Sequence, residues 1–254
     1  MVMKKTVSFF WAVLFLCTFS TDAGAIEVRV GGYTFPPFVE NVDGKFAGIT
    51  LDMIKAMNAL QDTYLFKFVP TASKRRYRDF DKNAFDLILF ESKQWGWAGK
   101  PIEESDVFLQ GGEVYIAKIE PGRDQSYFND FTGKRIAGFV GYHYGFADFN
   151  ADETFLNEQF NATMTMTHEG NIRSVSSGRV EIAVVTISFL KKYLYCHPEI
   201  GEKILISQKL DQHYNHTMLM RSNRHPTISE INMLIQQMKE NGILSIIFES
   251  YGIK

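Results

Sequence analysis

The sequence predicts an α/β protein built as two lobes. Three observations point there. Strand-like and helix-like periods alternate as β-α-β-α-β between residues 26 and 91. The same pattern restarts near residue 112, and extended crossings join the two sets near 117–120 and 205–212. The expected division is a leader over 1–25, a first lobe of 26–117 and 210–254, and a second lobe of 118–209.

The leader reads as a cleaved secretory signal. Lys4 and Lys5 supply the positive charge, Val7 to Cys17 a short apolar run, and Ala23-Gly24-Ala25 the small-residue cleavage pattern before Ile26. Leu16 is too large for a good lipobox ahead of Cys17. The expected compartment is the periplasm. Cleavage leaves 25 basic and 28 acidic residues, a net charge of −3, which excludes nucleic-acid binding by bulk charge. One cysteine remains, Cys196, read as a buried inert thiol. No later segment approaches the ~18–20 apolar residues of a membrane span.

Ile26 to Val30 alternates as a strand, and Gly31-Gly32 stops it. Tyr33 to Phe38 follows as an aromatic loop that two prolines should hold extended. Asp43-Gly44 signals a turn. Apolar residues at 51, 54, 57 and 60 make a helical stripe. Leu65 to Val69 reads as a strand, Ser73 as the cap of a helix reaching about Phe80, and Leu87 to Phe90 as a buried strand. In the second set, Gly112 to Ala117, Gly133 to Phe139 and Ile182 to Val185 read as strands. Helices are expected ending at Ser177 and over Ile187 to Leu194. Lys203 to Gln208 and His216 to Arg221 read as two extended segments, and Ile228 to Lys239 and Ile243 to Tyr251 as closing helices.

In open α/β sheets ligands sit beyond the carboxyl ends of the strands. Three segments converge there: the loop carrying Tyr33, Phe35 and Phe38, the turn ending at Ser73, and the stretch DLILFESKQWGW, which passes from buried strand into Glu91, Lys93, Trp95 and Trp97. The mouth of a cleft is the expected reading.

Several motifs, in order, resemble the family 3 periplasmic solute-binding proteins, best known as receptors of amino-acid ABC importers. They are Val28-Arg29-Val30-Gly31 with Phe35-Pro36-Pro37-Phe38, the run Asp43-Gly44-Lys45-Phe46-Ala47-Gly48-Ile49-Thr50-Leu51-Asp52, Gly133-Lys134-Arg135-Ile136, and Ser177-Gly178-Arg179-Val180-Glu181. The resemblance spans nearly all of residues 26–254. It implies a two-lobe clamshell of type II with two hinge crossings that closes on a small solute. It also implies an inner-membrane ABC permease, or a membrane receptor, as partner, a monomeric state, and no cofactor.

The resemblance also marks departures. Family members binding amino acids use an arginine at the position of Ala98 and an aspartate at that of Thr186. With both replaced by small residues, the ligand is expected to be other than an ordinary α-amino acid, or to have its charges met elsewhere. Phe35 matches the family's aromatic platform. Phe90, Glu91 and Lys93 match its contacts after the third strand, and Tyr142, His143 and Tyr144 those of the second lobe. Glu91 could hold a cation with help from Trp95 or Trp97, and Lys93 or Arg76 an acid. The plainer readings are a surface Glu-Lys pair, packed indoles, and a solvated helix face for Lys74, Arg75, Arg76 and Arg78. The expected ligand is a small polar solute, amino-acid-like or cationic.

Other chemistries find little support. His213 and His216 fall on opposite faces of a strand, which argues against a metal site. No P-loop, nucleophile elbow or dinucleotide fingerprint occurs. Two further functions stay open on the same scaffold: a sensor reporting to a membrane receptor, and a dehydratase-like enzyme.

Overall fold

A computed structural model describes residues 24–253. The leader therefore lies outside the described residues, except for Gly24 and Ala25. Among the described residues no helix is long and apolar enough to cross a membrane.

The first lobe begins with β1 (Ile26–Gly32), a hairpin of β2 (Glu40–Val42) and β3 (Lys45–Ala47), and α1 (Ile49–Leu60). It continues through β4 (Tyr64–Pro70), α2 (Arg76–Asp81), β5 (Leu87–Glu91), β6 (Ile102–Glu104) and β7 (Leu109–Lys118). The second lobe holds β8 (Ile136–Phe139), α3 (Glu153–Phe160), β9 (Ala162–Thr165), α4 (His168–Ser176), β10 (Ile182–Thr186), α5 (Ile187–Cys196) and α6 (Pro198–Gly201). The long β11 (Ile204–Arg221) returns to the first lobe, which α7 (Ile228–Glu240) and α8 (Ile243–Ser250) complete.

The strand order is β4-β1-β5-β11-β7-β10-β8-β9, with β6 added beside β11. Parallel pairs lie at both ends, β1 on β4 and β5, and β8 on β9 and β10. Each parallel set carries helices, as βαβ crossovers require. Antiparallel β7 and β11 lie between the sets. β11 pairs with β7 from Ile204 to His216 and with β5 from Thr217 to Met220. One continuous strand thus replaces the two segments expected from the sequence. The reason is visible in its middle: Gln212, Tyr214 and His216 are the buried alternates, so polar side chains occupy the inward face. A hydrophobic period cannot show such a strand.

Helix α1 buries Ile49, Met53, Ile54 and Met57; of the stripe expected at 51, 54, 57 and 60, Ile54 and Met57 lie on the buried face and Leu51 and Leu60 are half-buried at its margins. Helix α7 starts with a reciprocal capping box between Thr227 and Glu230. Three local expectations are corrected. Ser73 does not cap α2, which begins at Arg76 without a side-chain cap; its hydroxyl instead donates to the Val140 carbonyl of the second lobe, 3.0 Å away. The loop after β1 is not extended: Phe38 N–H donates to Phe35 O, and Phe35 bridges to Val39. That turn tucks Phe35 and Phe38 inward. Cys196 is exposed, because it falls on the outer side of the last turn of α5.

Gly48 joins β3 to α1 at φ 120°, and a Cβ there would lie 2.7 Å from Phe38 O and 2.8 Å from Pro37 O. Both carbonyls are engaged, accepting from Thr50 N–H and Ile49 N–H. Gly48→Ala should lower the unfolding free energy by ~1–3 kcal/mol. The expected readout is a lower urea midpoint at unchanged slope.

Candidate functional site

Where the lobes face each other they enclose a small cavity. The first lobe contributes Tyr33, Phe35, Arg76 and Trp95, and the second Gly141, Tyr142 and His143. Gln212 and Tyr214 of β11 form the back wall. The space for the centre of a water-sized sphere is about 10 Å³, room for about one water. Aromatic rings fill the rest. Tyr142 meets Phe35 edge-on at 5.3 Å, and Trp95 meets Tyr214 edge-on at 4.9 Å.

Arg76 is the charged group that faces this space. It is 1% exposed, while its neighbours Lys74, Arg75 and Arg78 are on the surface. Helical spacing explains the difference: Arg76 shares the inner face of α2 with Phe80, four residues on. Its guanidinium lies between the rings of Tyr33 and Tyr77, at 4.7 and 4.4 Å. Its Nη1 donates to Ser73 O and, more weakly at 3.5 Å, to Gly141 O across the cleft. Its Nε lies 3.0 Å from Glu91 Oε1, and Glu91 is 0% exposed.

Glu91 is turned inward by a local break in β5. Phe90 has φ 59°, and the pairing with β11 skips it, from Leu89↔Met218 to Glu91↔Thr217. A bulge of this kind re-aims the next side chain. The second carboxylate oxygen of Glu91 accepts from Trp97 Nε1 at 2.7 Å. Burial raises the Glu91 pKa above the ordinary value, and Arg76, Trp97 and Tyr33 work against that rise.

A second polar hub sits behind the cavity. Gln212 Nε2 donates to Glu113 Oε2 at 2.9 Å and to His143 O, while its Oε1 accepts from Trp95 Nε1 at 3.0 Å. One side chain thereby ties the first lobe, the second lobe and β11 together. Glu113 is fully buried on β7, and burial followed by the Asp211 charge pushes its pKa up to about 8. Asp211 accepts from Gly145 N–H, Phe146 N–H and the Tyr115 hydroxyl. His143 Nδ1 lies 2.7 Å from Phe149 O, and its Nε2 lies 2.8 Å from the Tyr77 hydroxyl, which donates its proton to Trp95 O at 2.6 Å. Burial lowers its pKa to about 4.

Of the residues singled out from sequence, Tyr33, Phe35, Arg76, Trp95, Tyr142 and His143 meet at the cavity. Glu91 and Trp97 stand one layer behind, spoken for by Arg76 and by each other. Phe38 and Phe90 stack at 4.2 Å inside the first lobe. Tyr144 is wholly buried in the second lobe, its hydroxyl bound to Phe139. Thr186 is buried and shares its hydroxyl with His168 Nε2 at 3.1 Å. Ser73 lies at the outer rim beside Gly141. Lys93 leaves the site altogether: it is half exposed and faces Glu104 at 3.7 Å, since it follows the strand end into solvent. Sequence reasoning missed Gly141, Gln212, Tyr214 and the supporting Glu113. The alternation of 212, 214 and 216 is the signal that could have found two of them. Among the described residues, no three His, Cys, Asp or Glu side chains are grouped to hold a metal.

No family model matches the chain, and no curated protein matches its sequence. Solved structures match at probability 1.00. A substrate-binding protein of an ABC uptake transporter from Streptococcus pneumoniae, with bound histidine, aligns with a TM-score of 0.70 and 18% identity. That match covers 89% of this chain and 92% of the other. An ancestral arginine-binding protein bound to arginine aligns at 0.67 and 19% identity, covering 89% and 97%. The ancestral amino-acid-binding protein AncCDT-1, a precursor of cyclohexadienyl dehydratase, aligns at 0.64 and 18%, covering 89% and 94%. The chain therefore has the two-lobe α/β fold of these proteins, the fold its motifs imply.

Arg76→Met alone should destabilise the protein by ~3–5 kcal/mol, because it strands Glu91 in the interior. The double variant Arg76→Met/Glu91→Gln should recover most of that loss in denaturant titration. Stability should peak near pH 6.5. Above the ordinary carboxyl value of 4.5 the unfolded chain releases the Glu113 proton first, so stability falls with rising pH until about 8. Below 6.5 the unfolded chain takes up protons that buried His143, His168 and His216 refuse until about 4, 3 and 3. Where the windows overlap, three histidines outweigh one glutamate. Glu113→Gln should flatten the alkaline decline in melting temperature.

Proposed function

We propose that this protein is an exported periplasmic solute-binding protein. It captures a small polar organic solute between its lobes and delivers it to an inner-membrane ABC permease. The observation that carries this reading is the cavity itself. Its walls come from both lobes and from β11, and a desolvated guanidinium faces inward. Polar contacts to a solute strengthen when such a site shuts and water leaves.

In this reading β7 and β11 are the two hinge crossings, and the lobes part to admit ligand. The polar links that would break are few. They are Ser73 to Val140 O, Arg76 to Gly141 O, Tyr77 to His143, the Trp95–Gln212–His143 chain, and the surface pairs Lys74–Glu153 and Lys192–Glu40. Net contributions of ~0.5–1.5 kcal/mol per hydrogen bond and ~0–1 per surface pair suit reversible opening.

The test is purification of the exported protein from its own periplasm, followed by denaturation and mass spectrometry. A stoichiometric small molecule, released unchanged, is the expected result. No released solute, together with no thermal shift from any member of a broad metabolite panel, would overturn the reading.

A further inference from the structure

The cavity has a chemical polarity of its own. Arg76 brings five N–H groups to it. Only Nη1 makes hydrogen bonds, to Ser73 O and Gly141 O; Nε approaches Glu91 without hydrogen-bond alignment, and Nη2 donates to no protein group among the described residues. Tyr142 lines the same cavity from the second lobe. Tyr142 is 7% exposed, and its hydroxyl has no partner. An unmet hydroxyl in a protein interior is a standing penalty, and on a residue that lines a cleft it can be met by an acceptor that arrives with the ligand.

What the cavity lacks is equally informative. No carboxylate lines it. Glu91 is held behind Arg76 by Trp97, and Glu113 behind Gln212. Thr186 is engaged by His168, and His143 is turned to Phe149 O and the Tyr77 hydroxyl. An ammonium entering here would meet aromatic faces but no counter-ion, so a zwitterion would be half matched.

Resting on the solute-binding reading above, we infer that the solute is a small organic acid without a free amine. Arg76 of the first lobe and the Tyr142 hydroxyl of the second receive its carboxylate. Its apolar or planar body lies against Phe35, Trp95 and Tyr214. Glu91 acts as a positioning residue that fixes the plane of the guanidinium fork. Because the carboxylate takes donors from both lobes, it favours the shut form over the open one.

The experiment is calorimetric titration of the purified protein with benzoate, phenylacetate and butanoate, against benzamide, benzylamine and L-phenylalanine. Mass spectrometry of any co-purifying solute runs in parallel. The expected result is binding of at least one acid, with the amide weaker by about tenfold or more and no binding of amine or amino acid. Tyr142→Phe should weaken the acid about tenfold while leaving the unliganded melting temperature unchanged or raised. The double variant Arg76→Met/Glu91→Gln should remove acid binding from a folded protein. Binding of benzylamine or L-phenylalanine as tightly as the acids would overturn the inference and leave the solute-binding reading standing. So would a co-purified solute that has an amine or lacks an acidic group, or unchanged acid affinity in Tyr142→Phe. If no acid binds and nothing co-purifies, the inference falls, and a panel-wide absence of thermal shift then removes the solute-binding reading as well.

Discussion

A guanidinium taken out of water is the constraint around which the centre of this molecule is arranged. An isolated charge in a protein interior is prohibitively unfavourable, so Arg76 has to be surrounded by groups that replace its hydration. Glu91 supplies the opposite charge, Tyr33 and Tyr77 supply ring faces, and carbonyls from both lobes supply acceptors. Each of these partners imposes a local structural requirement. Glu91 needs the break at Phe90 to point inward, and Trp97 must curl back after the strand to satisfy its other oxygen. Tyr33 needs the tight turn that follows β1. The tertiary shape of three loops follows from one side chain on α2.

The second centre of order is Gln212. A neutral amide is well suited to a junction, since it can donate and accept at once without the desolvation penalty of a charge. It joins an indole of one lobe, a backbone carbonyl of the other and a carboxyl on the neighbouring strand. Glu113 can serve there because burial keeps it protonated through neutral pH. The central region therefore combines one compensated ion pair with one neutral network, and neither leaves a full charge unbalanced.

The architecture was legible in the sequence wherever apolar side chains set the period. The βαβ alternation and the closing helices declared themselves this way, as did the existence of α1, though not its exact buried face. The aromatic loop and the Trp95 region were legible too, because strand ends that carry rings mark the mouth of a cleft. What stayed hidden shares one physical cause: polar residues on buried faces. The run Lys74 to Arg78 looks like a solvated helix surface, and only tertiary contact picks out Arg76 from its neighbours. The middle of β11 looks like a loop for the same reason. Glu91 was noticed as a charge at a strand end, but nothing in the pattern pointed to the arginine fifteen residues earlier that it faces. A bulge such as that at Phe90 leaves no mark in a hydrophobic pattern, yet it decides which side of the strand Glu91 occupies.

On the solute-binding reading proposed above, the near-absence of free volume between the lobes also bears on kinetics. A site with room for about one water cannot be entered by a solute while shut. Association then proceeds through the parted form alone, and apparent affinity is reduced by the fraction of molecules in that form. At high solute concentration the observed rate approaches a unimolecular limit set by opening rather than by diffusion. The same packing would act as a threshold, so that weakly bound compounds fail to hold the lobes in a new arrangement.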